Sequence, residues 1–289
     1  MAWLIRTLRL PAGESHTNLA LAMVQSGKAK DAIPIYQRAA ALDPKNAILH
    51  EDTGVAYLQQ SDLDNAIREF QAGLAVDPSN PQLHYDLGLA YKLKDNVPDA
   101  IAALEQAQKE DPTLTDPPYT LGVLYMQIGK FPEAAHQLET ATTLRPDYGE
   151  AWYTLGSVYN QMDRPTEAAT ALHHAIDLLP QQPGPHITLA SVLAKQHETA
   201  AAAAERKIAA DLSRVAVSRQ RANFALDSGN LLLKKGQLDE ALQQFQTAVA
   251  ADPNYAAAHL ALAEALTRQG KSADAALERK KAESLGPSK

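Results

Sequence analysis

Prolines that recur every 34 residues constrain the fold of this chain more than any other feature of its sequence. They stand at Pro44, Pro78, Pro112, Pro146 and Pro180. A fixed period of this length indicates an internal repeat, in which each copy is one supersecondary unit that packs against its neighbours. Because proline cannot continue a helix, each of these residues is expected to mark the end of a copy.

The copy at residues 149–182 predicts two antiparallel helices. Apolar and small residues in 152–159 recur at intervals of three and four, which places them on one face of a first helix. Residues 163–165 interrupt this pattern, and Pro165 suits the first turn of a second helix. We therefore expect each copy to be a helix–turn–helix unit.

Two small residues recur where the helices of each copy should cross. A larger side chain at either place would overpack the crossing, at a cost of about 1–3 kcal/mol. In the first helices the small residues are Ala20, Gly54, Gly88, Gly122, Gly156, Ala190, Gly229 and Ala263. In the second helices they are Ala32, Ala66, Ala100, Ala134, Ala168, Ala202, Ala241 and Ala275. The pair therefore predicts about eight copies.

Further motifs hold fixed places relative to this pair. The residue three places after the small one is Tyr57, Tyr91, Tyr125 or Tyr159 in four copies, and four copies end in Asp-Pro, at 43–44, 77–78, 111–112 and 252–253. With the 34-residue period, these motifs make residues 13–289 resemble the tetratricopeptide repeat (TPR) family. The resemblance implies an all-α fold, a right-handed α-solenoid of about eight helix–turn–helix units.

The period also predicts how the chain is divided. Residues 1–12 are expected to be an N-terminal segment or the remnant of a preceding repeat, and residues 13–182 five regular repeats. After Pro180 the next terminating proline is Pro253. The two prolines are 73 residues apart, which is five residues more than the length of two copies. Residues 186–228 contain no Gly or Pro. We therefore expect a divergent sixth repeat at 183–221, with an extended second helix that is uninterrupted over 199–220, and two C-terminal repeats at 222–289.

The charge of the chain is acidic overall but reverses in one stretch. A net charge of −7 and a pI near 5.7 argue against a general nucleic-acid binder, whose affinity comes largely from neutralising phosphates. Residues 193–235 instead hold eight basic and four acidic residues. This stretch is either the solvated face of a long helix or a docking patch for an acidic partner or for the chain's own acidic half.

Catalytic and metal sites are not indicated by the residues present. The chain has no cysteine, and five of its nine histidines take the same packing place in their repeats. The acidic pair Glu51-Asp52 is expected to be exposed to water, with nothing to raise its pKa for acid–base work. We therefore expect a protein that is not an enzyme and has no cofactor or metal. The histidines in the packing place are His16, His50, His84, His186 and His259.

Function is therefore expected to lie on a surface. The family resemblance implies that first helices line a concave groove, which binds a protein or peptide rather than nucleic acid. A ladder of tyrosines, one per repeat, and nearby amide, acidic and apolar side chains are the candidate contacts. The candidate partner-binding residues are Tyr85, Tyr119, Tyr153, Gln59, Gln127, Gln161, Asn160, Asp52, Asp86, Leu89, Val123 and Met126.

A second function stays open, that of a targeting or substrate-recruiting arm of a larger enzyme such as a glycosyltransferase. The asparagine that such family members repeat at the sixth place of the unit survives here only as Asn18. Residues 1–12 are too short for a membrane span. The compartment is open between the cytoplasm and, if a longer precursor exists, the periplasm, and the oligomeric state is likewise open.

Overall fold

The computed structural model describes residues 12–286, and within them all regular secondary structure is helical. The all-α class predicted from the repeat is therefore confirmed. The helices of the first five repeats are α1 (Ala12–Gln25), α2 (Ala29–Leu42), α3 (Ala47–Gln59), α4 (Leu63–Val76), α5 (Pro81–Leu93), α6 (Val97–Glu110), α7 (Asp116–Gln127), α8 (Phe131–Leu144), α9 (Gly149–Gln161) and α10 (Pro165–Leu178). The remaining helices are α11 (Pro183–Lys195), α12 (Thr199–Lys234), α13 (Leu238–Ala251), α14 (Ala256–Arg268) and α15 (Ser272–Leu285).

The two helices of each repeat cross at the small residues that the sequence singles out. A methyl group added to Gly122 would lie 2.6 Å from Cγ of Leu138, and one added to Gly156 would lie 2.6 Å from Cγ of Leu172. Both distances are far below van der Waals contact. In these two repeats the crossing therefore requires glycine.

The turn inside each repeat places one residue in the left-handed backbone region. Gly129 occupies this place in the fourth repeat with φ of 76°, while in the sixth repeat His197 adopts φ of 65°. Glycine reaches this region without steric cost, whereas a side chain pays for it in strain. In the other four of the first five repeats the residues with positive φ are Gly27, Ser61, Asp95 and Asp163, and the last lies in the interruption predicted at 163–165.

Four junctions between consecutive repeats share one hydrogen bond, which we call the tyrosine tether. It joins the hydroxyl group of a first-helix tyrosine to the residue twenty places earlier, in the preceding second helix. Tyr125 donates to Glu105 at 2.5 Å, and Tyr159 donates to Glu139 at 2.6 Å. Burial, reinforced by these carboxylates, raises the pKa of both tyrosines to about 12. In the other two junctions Gln37 and Gln71 donate to Tyr57 and Tyr91.

The histidines in the shared packing place act inside their own repeats. His50 contacts Glu69 at 2.8 Å, His186 contacts Glu205 at 2.6 Å, and in each case the partner lies on the second helix of the same repeat. Trp152, which holds this place in the fifth repeat, donates its indole N–H to the carbonyl oxygen of Pro146 at 2.8 Å. The packing role inside one repeat is confirmed for His50 and His186, while the hydrogen bond of Trp152 reaches the end of the preceding repeat.

Helix α12 is the exception to the regular pattern. It runs for 36 residues without a break, whereas the second helices of the first five repeats have 14. The uninterrupted helix predicted for 199–220 is present and continues to Lys234. It carries both Ala202, the crossing residue of the sixth repeat, and Gly229, the crossing residue of the seventh. The expected boundary between residues 221 and 222 therefore lies inside one helix.

The chain divides into two compact parts between Leu178 and Leu179. We call them the N-terminal body, which holds α1 to α10, and the C-terminal body, which holds α11 to α15. Within the N-terminal body each second helix packs against the first helix of the next repeat. Each body is described separately below.

Candidate functional site

The candidate site is the surface that the first helices of the N-terminal body share, which we call the first-helix surface. Helices α1 and α3, α3 and α5, and α7 and α9 contact each other directly. Residues at equivalent places of neighbouring repeats are therefore brought side by side, although they lie 34 positions apart in the sequence. This arrangement assembles one surface from single residues contributed by each repeat.

The three candidate tyrosines lie on this surface with part of each side chain exposed. Tyr85 is on α5, Tyr119 on α7 and Tyr153 on α9. The ring centroid of Tyr119 is 4.7 Å from that of Tyr148, at a tilt of 48°. This separation is typical of a favourable aromatic pair. Tyr119 therefore packs on Tyr148 and is partly exposed.

A basic and aromatic group adjoins these tyrosines. The Arg145 guanidinium lies 3.5 Å from the ring centroid of Tyr148, and its Nη2 is 3.6 Å from Oδ1 of Asp116. Burial, followed by the negative charge of Asp116, raises the pKa of Tyr85. Arg145, Tyr148 and Asp116 thus belong to the same surface as Tyr85 and Tyr119.

This group could not be predicted from the first helices alone, because two of its members, Arg145 and Tyr148, lie outside them. Arg145 follows α8 and Tyr148 precedes α9. A signal was nevertheless present, because the fourth repeat ends in Arg145-Pro146 where the first three repeats end in Asp-Pro. A break in a repeated terminal motif is therefore informative in its own right.

An acidic cluster occupies the part of the surface formed by α3 and α5. Asp86 is only 7% exposed, and its pKa is raised to about 7, first by burial and then by the negative charge of Glu51. Gln82 Nε2 donates to Oδ1 of Asp86 at 3.1 Å, which opposes this rise. Burial raises the pKa of Asp52, and burial together with Asp52 raises that of Glu51.

These carboxylates correct the expectation that Glu51-Asp52 would be fully exposed with nothing to raise its pKa. Both residues are only partly exposed. Their neighbours lie on other repeats, because Glu51 acts on Asp86 of α5 and Asp52 acts on Tyr36 of α2. A pattern read from one repeat cannot show these contacts.

The other candidate residues are also on first helices but differ in exposure. Gln59, Gln127 and Gln161 are exposed, at the carboxyl ends of α3, α7 and α9. The remaining four are partly buried. They are Leu89, Val123, Met126 and Asn160.

The chemistry of this surface is that of recognition. Amide and phenol groups can hydrogen-bond a partner's backbone, the partly buried aliphatic side chains can contact apolar groups, and the acidic cluster attracts a cation. In the described part of the chain, no group of three or more His, Cys, Asp or Glu side chains could hold a metal ion. No described helix has both the length and the apolar character that a membrane crossing requires.

Models of repeat families match the chain at several places. The model described as TPR repeat matches residues 54–95 and 229–270. Two models described as tetratricopeptide repeat match residues 119–183 and 13–46. These matches lie in both bodies. No curated protein sequence matches the chain.

Several solved structures resemble the chain at low sequence identity. One is MamA from Desulfovibrio magneticus RS-1, residues 41 to the end. Its sequence identity to this chain is 21%, the match covers 58% of this chain and 95% of that chain, and the TM-score is 0.55. Another is YrrB, described as a TPR protein with an unusual peptide-binding site. Its sequence identity is 22%, the match covers 64% of this chain and 94% of that chain, and the TM-score is 0.52. A TPR repeat-containing protein from Cytophaga hutchinsonii has 16% identity, 85% and 98% covered, and a TM-score of 0.60. At these identities the likeness concerns the fold.

Proposed function

The chain belongs to the tetratricopeptide repeat family, and on that premise we propose that it is a protein-interaction scaffold whose first-helix surface forms a concave groove for a peptide. The peptide is an extended segment of a partner protein. It carries an apolar or aromatic side chain and, a few residues away, a lysine or arginine. YrrB, a protein of the same fold, is described as having an unusual peptide-binding site.

The observation that carries this proposal is that aromatic and acidic groups lie together on one surface. Tyr119 and Tyr148 offer a partly exposed aromatic pair, and buried interface aromatics contribute strongly to binding. Glu51, Asp52 and Asp86 supply a partly desolvated negative charge to which a cationic side chain can bind. The two groups together favour a peptide that is both apolar and basic.

The acidic cluster makes the proposed binding pH-dependent. A cation beside Asp86 favours the ionised carboxylate, whose pKa is about 7 in the free protein. Binding therefore releases a proton when the pH is below 7, and affinity falls as the pH is lowered through this value. An apolar peptide without a basic residue should bind without this dependence.

The proposal is tested by selecting peptides from a random displayed library with the whole chain as bait. We expect the selected sequences to be enriched in Lys or Arg and in aromatic or aliphatic residues. Tyr119→Ala should weaken their binding at least tenfold, about 1.4 kcal/mol, because a central aromatic contact is lost. Gln127→Ala, which removes an exposed side chain on the same helix, should have a smaller effect.

The matched control is Leu42→Ala, which truncates a 59% exposed side chain on a second helix and should leave peptide binding unchanged. Melting temperatures of all three variants separate loss of contact from loss of fold. If Tyr119→Ala binds as wild type does, or melts early, the tyrosines are structural and the groove proposal is wrong.

A further inference from the structure

An exposed apolar stripe runs along α12, in the C-terminal body. Its members are spaced by seven residues, nearly two helical turns, and therefore share one side of the helix. Val217 is 48% exposed, Phe224 78% and Leu231 54%. Ala210, one heptad earlier, is also exposed. We call these four residues the α12 stripe.

The stripe begins inside a groove between α11 and α12. This open groove has a volume of about 540 Å³, and Ala210 belongs to both the groove and the stripe. Ile187 on α11 is 57% exposed within it. The groove is lined by Ile187, Ser191, Ala194, Arg206, Ala209, Ala210 and Ser213. The recess and the stripe thus form one continuous elongated surface.

In the regular repeats, the position that corresponds to this groove is covered by a packed helix. The residue four places after the crossing alanine is fully buried in the N-terminal body, as Phe70 and Leu104 illustrate. Phe70 packs with Leu83 and Leu87 of the next first helix. In the sixth repeat this place holds Arg206, which is exposed. The groove is therefore the position that a packed helix takes elsewhere in the chain.

The charge beside the stripe indicates the chemistry of the occupant. Residues 199–235 contain seven basic and three acidic residues. Two of the acidic residues are already engaged, Glu205 by His186 and Asp211 by Arg214. Within the described residues, neither Arg206 nor Arg221 has an ion-pair partner. A second copy of α12 would bring like charges together, whereas an acidic helix would neutralise them.

We propose that the groove and the α12 stripe bind an amphipathic helix of a partner protein, with apolar residues at heptad spacing and acidic residues beside them. The binding mode is a helix lying along a groove, with apolar anchors at regular intervals. From Ala210 to Leu231 the stripe is about 30 Å long, which matches a partner helix of about 20 residues. This surface belongs to the C-terminal body, and the proposal for it does not depend on peptide binding at the first-helix surface.

The test uses a designed helical peptide of 28 residues, with leucines at heptad spacing flanked by glutamates, labelled with fluorescein. A second peptide replaces every glutamate with lysine. Fluorescence anisotropy against the whole chain should give at least tenfold tighter binding for the acidic peptide. Phe224→Glu should weaken that binding at least tenfold, and Arg206→Glu combined with Arg221→Glu should reverse the preference between the peptides.

Two matched variants check that these effects are local. Ile48→Glu introduces the same charge at a 60% exposed aliphatic residue on α3 and should leave binding unchanged. Tyr119→Ala should also leave binding of the acidic peptide unchanged. The proposal for the first-helix surface and the proposal for the α12 stripe can therefore fail independently. Circular dichroism of each variant confirms that the helical content is retained.

Specific outcomes overturn the proposal. Equal binding of both peptides, no binding of either, or binding unaffected by Phe224→Glu excludes an acidic helix as the occupant. Concentration-dependent dimerisation in analytical ultracentrifugation, abolished by Phe224→Glu, would assign the stripe to a second copy instead. Phe224-dependent binding to phosphatidylserine vesicles, without binding of the acidic peptide, would assign it to a membrane surface.

Discussion

The N-terminal and C-terminal bodies are built from the same repeat but join their repeats differently. In the N-terminal body five repeats use ten helices, and each helix belongs to one repeat. In the C-terminal body three repeats use five helices, because α12 belongs to two of them. The tether tyrosine is also replaced there. Its place holds Leu193, Leu232 and Leu266.

Consecutive repeats can therefore be joined either by side-chain contacts or by one continuous helix. In the N-terminal body a buried apolar residue such as Leu138 and a tether such as Tyr159–Glu139 hold neighbours together. Between the sixth and seventh repeats the helix itself makes the connection, and the corresponding side-chain position, Arg206, is exposed. The backbone connection leaves one helical face open, and this is where the α12 stripe lies.

The largest expected effect comes from interrupting α12. Val215→Pro removes a backbone hydrogen bond in the middle of the helix, at a side chain that is 57% exposed, and should cost about 3 kcal/mol or more. The loss should be confined to the C-terminal body. Hydrogen-exchange mass spectrometry should show faster exchange in α11 to α13 and unchanged exchange in α3 to α9.

Val215→Ala is the control, because it removes the same exposed side chain without breaking the helix. It should leave exchange in both bodies unchanged. If Val215→Pro accelerates exchange equally in the N-terminal body, the stabilities of the two bodies are coupled. The expectation that the loss stays within the C-terminal body is then wrong.

A smaller effect is expected from the acidic cluster of the N-terminal body. The pKa of Asp86 is raised to about 7, so its ionisation destabilises the folded state increasingly between about pH 4 and pH 7. Asp86→Asn removes the charge and keeps an oxygen that accepts from Gln82. It should stabilise the protein at pH 8 by an amount on the order of 2 kcal/mol.

Thermal unfolding of Asp86→Asn and wild type across this pH range checks the sign. The difference in melting temperature should be greatest at pH 8 and should vanish below about pH 4, where Asp86 becomes protonated in the unfolded state as well as in the folded state. A constant difference at all pH values would mean that the substitution acts through packing and not through the carboxyl charge.

The smallest expected effect concerns the tethers. Tyr159→Phe removes the hydroxyl that donates to Glu139 while keeping the ring, and should destabilise the N-terminal body by about 1 kcal/mol. Tyr153→Phe, on the same helix, removes a hydroxyl that makes no tether and should change stability by less than about 0.5 kcal/mol. Urea unfolding monitored by circular dichroism compares the two. Equal losses would show that the tether contributes nothing beyond the presence of a phenol.

Much of the fold could be predicted because it is local and repeated. The 34-residue period appears when the copies are compared, and the small residues at each crossing and the stretch 186–228 without Gly or Pro can be read directly from the sequence. The turns are also local, and Gly27 and Gly129 adopt the left-handed backbone region there. None of these features requires knowledge of contacts between distant residues.

The site could be predicted only in part, because some of its properties arise between repeats. The three tyrosines stand on first helices of successive repeats, as the period places them, but the raised pKa of Asp86 requires burial together with the charge of Glu51 on another repeat. The aromatic pair joins Tyr119 of α7 to Tyr148, the residue before α9, and the repeat pattern does not link these two positions. The apolar stripe was also missed, since the seven-residue spacing from Val217 to Leu231 crosses the boundary that was expected at 221–222.

Helix α12 also sets the helical phase between the sixth and seventh repeats. Each residue of an α-helix advances the chain by about 1.5 Å and turns it by about 100°. One residue added or removed between Ala202 and Gly229 would therefore turn the seventh and eighth repeats about that axis by more than a right angle relative to the sixth. The distance from Pro180 to Pro253 exceeds the length of two repeats by five residues. Five residues of helix correspond to a net turn of about 140° and an advance of about 7.5 Å. In this part of the chain, the number of residues in one helix fixes the direction in which whole repeats face.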